Sequence, residues 1–363
     1  MTDTAAQTQA VPQPPPADER LANLMRRFGA QPAVDAYGMQ AQFPPAAAQA
    51  LAEGFAAPLP DFGLLRVEGD EAGKFLHSQL TNDVEHLPQG EARWYGYCSP
   101  KGRLLSTFVG WRDDDGVWLA LGRPLAEAIR KRLSMFVLRA KAKVVDRSDT
   151  TVFFGLGGAG AAAKLAALGI VAPGAMAVAT KDSLACVGLP AVTVAARECP
   201  RWLLAVPEQR AEAVWAELHA GLTAASSTFW RWTEVQAGVP RLVPGTSEQF
   251  VPQMLNFELV GGVNFKKGCY PGQEIVARSQ YLGKLKRRMF LAHLDGAEPL
   301  PGSDVLPATG DQPCGQVVLA APAPQGGVDL LFESQIGAVE SGAVQAGAAT
   351  LARHDLPYPF PAA

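Results

Sequence analysis

Cysteine is scarce in this chain, and its spacing excludes several architectures. The five cysteines, at 98, 186, 199, 269 and 314, are an odd number without a Cys-x-x-Cys pair, which argues against a disulfide framework and a self-contained zinc site. A reducing, cytoplasmic setting is the expectation. Charge is sparse as well: only 18% of residues are Asp, Glu, Lys or Arg, with a formal net charge of -3. No global nucleic-acid footprint exists, and direct nucleic-acid binding is not expected. No apolar run approaches the roughly 20 residues that span a bilayer, so no membrane partner is expected. The first residues carry Asp3 but no basic segment, and arginine first occurs at Arg20, after Asp18 and Glu19. This is unlike a secretory or mitochondrial leader.

What the chain does have is apolar residues, 48% of 363, enough for about two or three domains with filled cores. Residues 1–20, rich in Pro, Gln and Thr, read as a disordered tail. A short helix is expected near Leu21 to Phe28, and a strand over Phe62 to Val67. Asp70 is a plausible N-cap for a helix buried through Ala72, Phe75, Leu76 and Leu80. Leu104 to Trp111 and Val117 to Leu121 flank Asp113-Asp114-Asp115-Gly116, a hairpin signal. Leu125, Ile129, Leu133 and Val137 recur at four-residue spacing after Pro124, marking an amphipathic helix. Residues 144–230 alternate strands and helices, including Thr151 to Gly155, Trp202 to Val206 and a helix after Pro207. Beyond about Arg288 helical periodicity disappears, and short apolar runs broken by Pro and Gly predict a small β-barrel.

Gly155-Leu156-Gly157-Gly158-Ala159-Gly160 matches a dinucleotide fingerprint, with Asp182 about 20 residues beyond. Fewer than about 80 residues follow before the next motif, too few for a full doubly wound sheet. A glycine-rich strand-to-helix connection is therefore expected. Pro100-Lys101-Gly102-Arg103 is either a clamp for phosphate or carboxylate or a polar turn. Trp94-Tyr95-Gly96-Tyr97 offers flat rings to a ligand or to a core. The histidines, at 77, 86, 219, 293 and 354, show no metal spacing, and each reads as structural or exposed.

The most informative stretch is Lys266-Lys267-Gly268-Cys269-Tyr270-Pro271-Gly272-Gln273-Glu274, followed by Arg278. Gly262-Val263-Asn264-Phe265 reads as a strand end, and Pro271 as the first position of a helix through Val276. Cys269 would then lie at a helix N-terminus amid Lys266, Lys267 and Arg278, a setting that lowers a thiol's pKa and suits metal binding or nucleophilic attack. Between 266 and 288 only Glu274 opposes Lys266, Lys267, Arg278, Lys284, Lys286, Arg287 and Arg288. Such a segment is either a docking surface for an acidic partner or, for its distal four charges, a solvated face.

Lys-Gly-Cys-Tyr-x-Gly-Gln-Glu followed by Arg resembles the signature of the YgfZ family, folate-binding relatives of the glycine-cleavage T-protein. The resemblance extends through Gln249 to Asn256, Gly261 to Phe265, Phe75 to Asp83 and Pro100 to Leu105, most of the chain after about residue 58. It implies a three-domain T-protein-like α+β fold with a C-terminal β-barrel. The folate-binding domain would be discontinuous (44–143 plus 231–287), around a ferredoxin-like α+β middle domain (144–230) and ahead of the barrel (288–363). It implies tetrahydrofolate or a derivative as ligand, with Lys101, Arg103, Gln236, Lys267, Tyr270, Gln273, Glu274 and Arg278 as contacts. It further implies Cys269 as functional thiol and possible transient ligand of an iron-sulfur cluster, and iron-sulfur client or assembly proteins as partners in a process that supports tRNA thiolation.

The chain departs from T-protein relatives at two places. Their Gly-Gly-x-x-Asp-Asp stretch reads here Gly102-Arg103-Leu104-Leu105-Ser106-Thr107, without the carboxylate that assists aminomethyl transfer. Their Leu-Glu-Ala-Gly reads Val235-Gln236-Ala237-Gly238, where Gln236 keeps hydrogen-bonding reach without charge. Folate binding survives these changes better than aminomethyl transfer does. The rival expectations are a folate-dependent one-carbon transferase and a folate-sensing adaptor without cysteine chemistry.

Overall fold

The structure is a computed structural model that describes residues 18–194, 196–281, 285–308 and 310–360. Asp18 accepts a hydrogen bond from Leu21 N and caps the helix Glu19–Arg27. The helix therefore reaches into the expected tail, whose residues 1–17 lie outside the described residues. A hairpin, Gln31–Asp35 with Gly38–Gln42, and the helix Ala47–Glu53 follow; no sequence signal had marked them.

The first large sheet is antiparallel, in the order Ala92–Cys98, Leu104–Arg112, Gly116–Gly122, Phe62–Glu68, Lys143–Asp146. The Asp-Gly turn makes the expected hairpin, with Val109 paired to Ala120. Helix Arg123–Val137 carries Pro124 in its first turn and buries Leu125, Ile129 and Leu133, as their spacing demands. Helix Ala72–His77 is preceded by Glu71, which makes no side-chain cap bond; Asp70 does not occupy the capping position.

A second sheet runs Val178–Lys181, Leu184–Val194, Arg197–Pro207, Thr151–Gly157, Phe55–Pro58, Thr223–Ala224. Its helices include Ala161–Ala167 and Glu208–His219. Phe55–Pro58 enters it from the N-terminal segment, while Lys143–Asp146 stays with the first sheet. The glycine fingerprint is indeed the turn from strand Thr151–Gly157 into helix Ala161–Ala167. A Cβ on Gly158 would lie 2.7 Å from Gly54 Cα, so this loop packs on protein backbone, not on a pyrophosphate.

The third sheet runs Ala349–Thr350, Val344–Ala346, Asp304–Pro307, Gly315–Pro322, Val328–Gln335, Arg287–Leu294, Ala352–His354. Its two edge strands are separated in the chain only by Leu351. The sheet thus curls into a nearly closed barrel, interrupted by one short helix, Ile336–Ser341, where no helical pattern had been expected. Helix Ser227–Gln236 joins the units and is buried around most of its circumference. Its Arg231 donates to Ala320 O at 2.9 Å, pairs with Asp35 and Glu298, and lies 3.8 Å over the Tyr37 ring.

Candidate functional site: the cysteine loop and the central cavity

The cysteine loop lies between Thr81 and the first turn of helix Gln273–Tyr281. Gly262 to Phe265 is not a strand but irregular backbone, held by Thr81: its Oγ1 donates to Gly262 O at 2.6 Å and its carbonyl accepts from Asn264 N at 2.9 Å. The helix begins at Gln273, two residues later than Pro271, because Gly272 takes φ +79° and turns the chain before it. Cys269 therefore sits in the loop, four residues before the helix, and is exposed; Cys98, Cys186, Cys199 and Cys314 are buried. Burial pushes the Cys98 thiol up to about 12, which suits an inert core residue.

Two contacts brace the loop. Lys267 Nζ donates to the carbonyls of His77 (2.5 Å) and Leu80 (2.9 Å), and sits 4.7 Å over the buried Tyr270 ring. Burial pushes this ammonium down to about 8, opposed by the charges of Asp83 and Cys269. Tyr270, raised by its own burial, is an apolar platform. The second contact joins distant segments: a Cβ on Gly272 would lie 2.6 Å from Gly102 N and Cα. The Pro100–Arg103 turn thus packs backbone to backbone against the cysteine loop. Lys101 and Arg103 are exposed there, and Arg103 Nη1 donates to Gln249 O. Gln273 is half-buried, and Glu274 and Arg278 are exposed on the following helix.

The basic segment is not the surface its composition suggested. Arg287 pairs with the buried Glu333 at 2.5 Å, and Arg288, itself buried, pairs with Glu258 and donates to Gln253 O. Both charges are spent inside the molecule, leaving Lys286 exposed. Lys284 lies outside the described residues.

A second feature is central. Phe62, Trp94, Thr107, Arg201, Glu234 and Arg241 are among the residues lining a cavity of about 30 Å³ between the first two sheets. Along strand Ala92–Cys98, Trp94 faces this cavity while Tyr95 and Tyr97 are core residues. Thr107, in the place of the relatives' carboxylate, donates to Pro240 O at 3.0 Å. Gln236 does not line the cavity. Its amide donates to Asp329 in the barrel at 2.8 Å, beside Trp232 Nε1 at 2.7 Å and His293 Nδ1 at 2.7 Å.

The carboxylate at the cavity is Glu234, two residues earlier, which the sequence reading missed. It accepts from Arg241 Nε (3.1 Å) and Nη2 (2.9 Å), and Arg241 Nη2 also donates to Asp61 at 2.7 Å. Two buried carboxyls share one guanidinium, and burial pushes both upward against its pull. Asp61 Oδ1 and Arg241 Nη1 have no partner among the described residues. A charged residue among Trp230, Trp232 and Val235 was the available signal, since an ion on a helix buried nearly all round needs a partner. The donor set suits the polar edge of a pterin, but about 30 Å³ holds one water; tetrahydrofolate does not fit with these side chains in place.

His77, Asp83 and His86 also stand beside the cysteine loop, although each histidine had been read as structural or exposed. His77 Nε2 lies 3.8 Å from where a Cβ on Gly268 would be, and both imidazoles meet Asp83.

No family model matches the chain. It is 30% identical over 256 residues to the tRNA-modifying protein YgfZ of Colwellia psychrerythraea strain 34H, covering 70% of this chain and 76% of that protein. It is 33% identical over 244 residues to the protein of the same name from Edwardsiella ictaluri, covering 67% and 72%. Its fold matches the glycine cleavage system aminomethyltransferase T of Bartonella henselae with a TM-score of 0.76 at 19% identity, over 93% of this chain and 96% of that one. With the T-protein-like fold in place and two curated relatives covered over more than two thirds of their length, the chain belongs to the YgfZ family.

Proposed function

We propose that this chain is a folate-binding accessory protein for the maturation or repair of iron-sulfur proteins, indirectly supporting tRNA thiolation, with Cys269 as its working thiol. One observation carries the reading: of five cysteines, Cys269 alone is exposed, on a loop braced by Lys267 and by the Gly102–Gly272 contact. A soft thiolate without a second cysteine beside it suits temporary coordination of iron-sulfur iron; the same thiol could serve as a nucleophile. The tRNA end of the reading is supported by the names of the two relatives. Thr107 in place of a carboxylate argues against aminomethyl transfer as the activity.

On this reading the ligand is tetrahydrofolate or a derivative, and its ring enters the cavity only when lining side chains move aside. Lys101 and Arg103 are offered to an anionic group of the ligand or of an iron-sulfur client or assembly protein. The setting is cytoplasmic. Among the described residues no helix is long and apolar enough to cross a membrane.

The test is complementation of cells lacking the protein, with wild type and Cys269→Ala at matched levels, reading iron-sulfur enzyme activity and thiolated tRNA. Wild type should restore both and Cys269→Ala neither; full rescue by the variant removes the thiol from the function. Titration calorimetry with tetrahydrofolate tests the ligand separately, and no binding by the wild type removes folate.

A further inference from the structure

The His77–Asp83–His86 cluster has a donor geometry that the proposed function does not use. His77 ends helix Ala72–His77, and Asp83 and His86 lie one turn apart in the following segment. His77 Nδ1 lies 2.9 Å from Asp83 Oδ1, and His86 Nδ1 lies 3.2 Å from the same oxygen and 3.0 Å from Oδ2. The three donor atoms all fall within 4.8 Å of one another. In a tetrahedral site with bonds of about 2.0–2.1 Å, neighbouring donors stand about 3.3 Å apart, close to these separations. We propose that His77, Asp83 and His86 form a binding site for a divalent transition-metal ion of the Zn²⁺ or Fe²⁺ class, on the flank of the cysteine loop.

The donor set selects this class. Two imidazoles and one carboxylate suit borderline transition metals, whereas Mg²⁺ and Ca²⁺ take oxygen ligands. Three protein ligands leave at least one position for water or a substrate donor. The site has one fixed wall and one open one. The side chains of His77 and Asp83 are 15% and 17% exposed, and Asp83's carbonyl accepts from Arg93 Nη1 and Tyr95 OH at 3.0 and 3.2 Å. His86 is 74% exposed and provides the entry path. Lys267, whose ammonium interacts with Asp83, is held by the carbonyls of His77 and Leu80, and its charge lowers the affinity of the site for a cation. An ion on His77 Nδ1 would leave that ring's proton on Nε2, the nitrogen that faces Gly268, and so turn a hydrogen-bond donor toward the cysteine loop.

The proposal needs no role for Cys269, and the test removes it. Chelator-treated full-length Cys269→Ala protein is titrated with Co²⁺, followed by calorimetry and visible absorption. One Co²⁺ per chain is expected, displaced by Zn²⁺. His86→Ala, at an exposed position, should weaken binding at least tenfold without changing the melting temperature, and Asp83→Asn should weaken binding as much. Absence of saturable binding in the Cys269→Ala protein, or undiminished affinity in His86→Ala, overturns the site. If only protein with Cys269 intact binds Co²⁺, the ion is thiol-bound; that result rejects this site while leaving the thiol reading standing.

Discussion

Gly272→Ala isolates the contact that holds the cysteine loop in place. Gly272 and Gly261 share φ +79°, so alanine at either position incurs the same left-handed strain, about 1–2 kcal/mol. They differ in space alone. A Cβ at Gly261 meets nothing within 4 Å, whereas one at Gly272 would come within 2.6 Å of Gly102 N and Cα and closer still to Ser99 O. All three are backbone atoms, so no rotamer change relieves the clash, and a Cβ on Gly102 would in turn meet Ile275 Cβ at 2.8 Å and Gly272 O at 3.1 Å. Overpacking of this kind costs about 1–3 kcal/mol. Gly261→Ala should therefore destabilise by about 1–2 kcal/mol and Gly272→Ala by about 2–5 kcal/mol. Chemical denaturation measures both, and the alkylation rate of Cys269 reports locally: it should change in Gly272→Ala, where the loop must leave the Ser99–Arg103 turn, and stay unchanged in Gly261→Ala. Equal destabilisation, with equal alkylation, would refute the close approach of the two segments.

Two further outcomes follow from buried charge. The hydrogen bond to Asp329 holds the His293 imidazolium above its ordinary value, so its stabilising contribution is complete below the unfolded histidine's pKa of about 6.5 and fades as pH rises through the higher folded value. The stability gap between wild type and His293→Asn should narrow from acid to alkaline pH in denaturation curves; a gap independent of pH would show that the pair does not titrate as described. Glu234→Ala removes a bidentate partner from Arg241, whose side chain is only 7% exposed, and breaking such a buried pair costs about 3–5 kcal/mol. Asp61 remains as a partner, which places the expected loss near 3 kcal/mol, and a loss under about 1 kcal/mol by urea denaturation would argue that the cluster is solvated.

Local pattern was legible in the sequence because it depends on neighbours along the chain. The four-residue recurrence from Leu125 produced a helix, Asp-Gly produced a hairpin, and the Pro- and Gly-broken runs after Arg288 produced a barrel-like sheet. The glycine and cysteine motif was legible as a bend and as a family signature, and its single exposed thiol agrees with that reading. Element ends were less legible: Gly272 shifted a helix start by two residues, and Glu71, not Asp70, precedes a helix.

Only the tertiary structure decided which residues share a site, since pairings across dozens of residues or more are set by packing and leave no local period. It laid Gly102 on Gly272, turned His77 toward Gly268, and drew Arg287 and Arg288 into pairs with Glu333 and Glu258. It also settled the helix Ser227–Gln236. Residues two apart on a helix point in nearly opposite directions, and this helix is buried on most sides, so polarity could not say which flank met the cavity. Packing sent Glu234 to the cavity with Arg241 and Gln236 to the barrel with Asp329, because each buried polar group had to find its partner on the side where the fold supplied one.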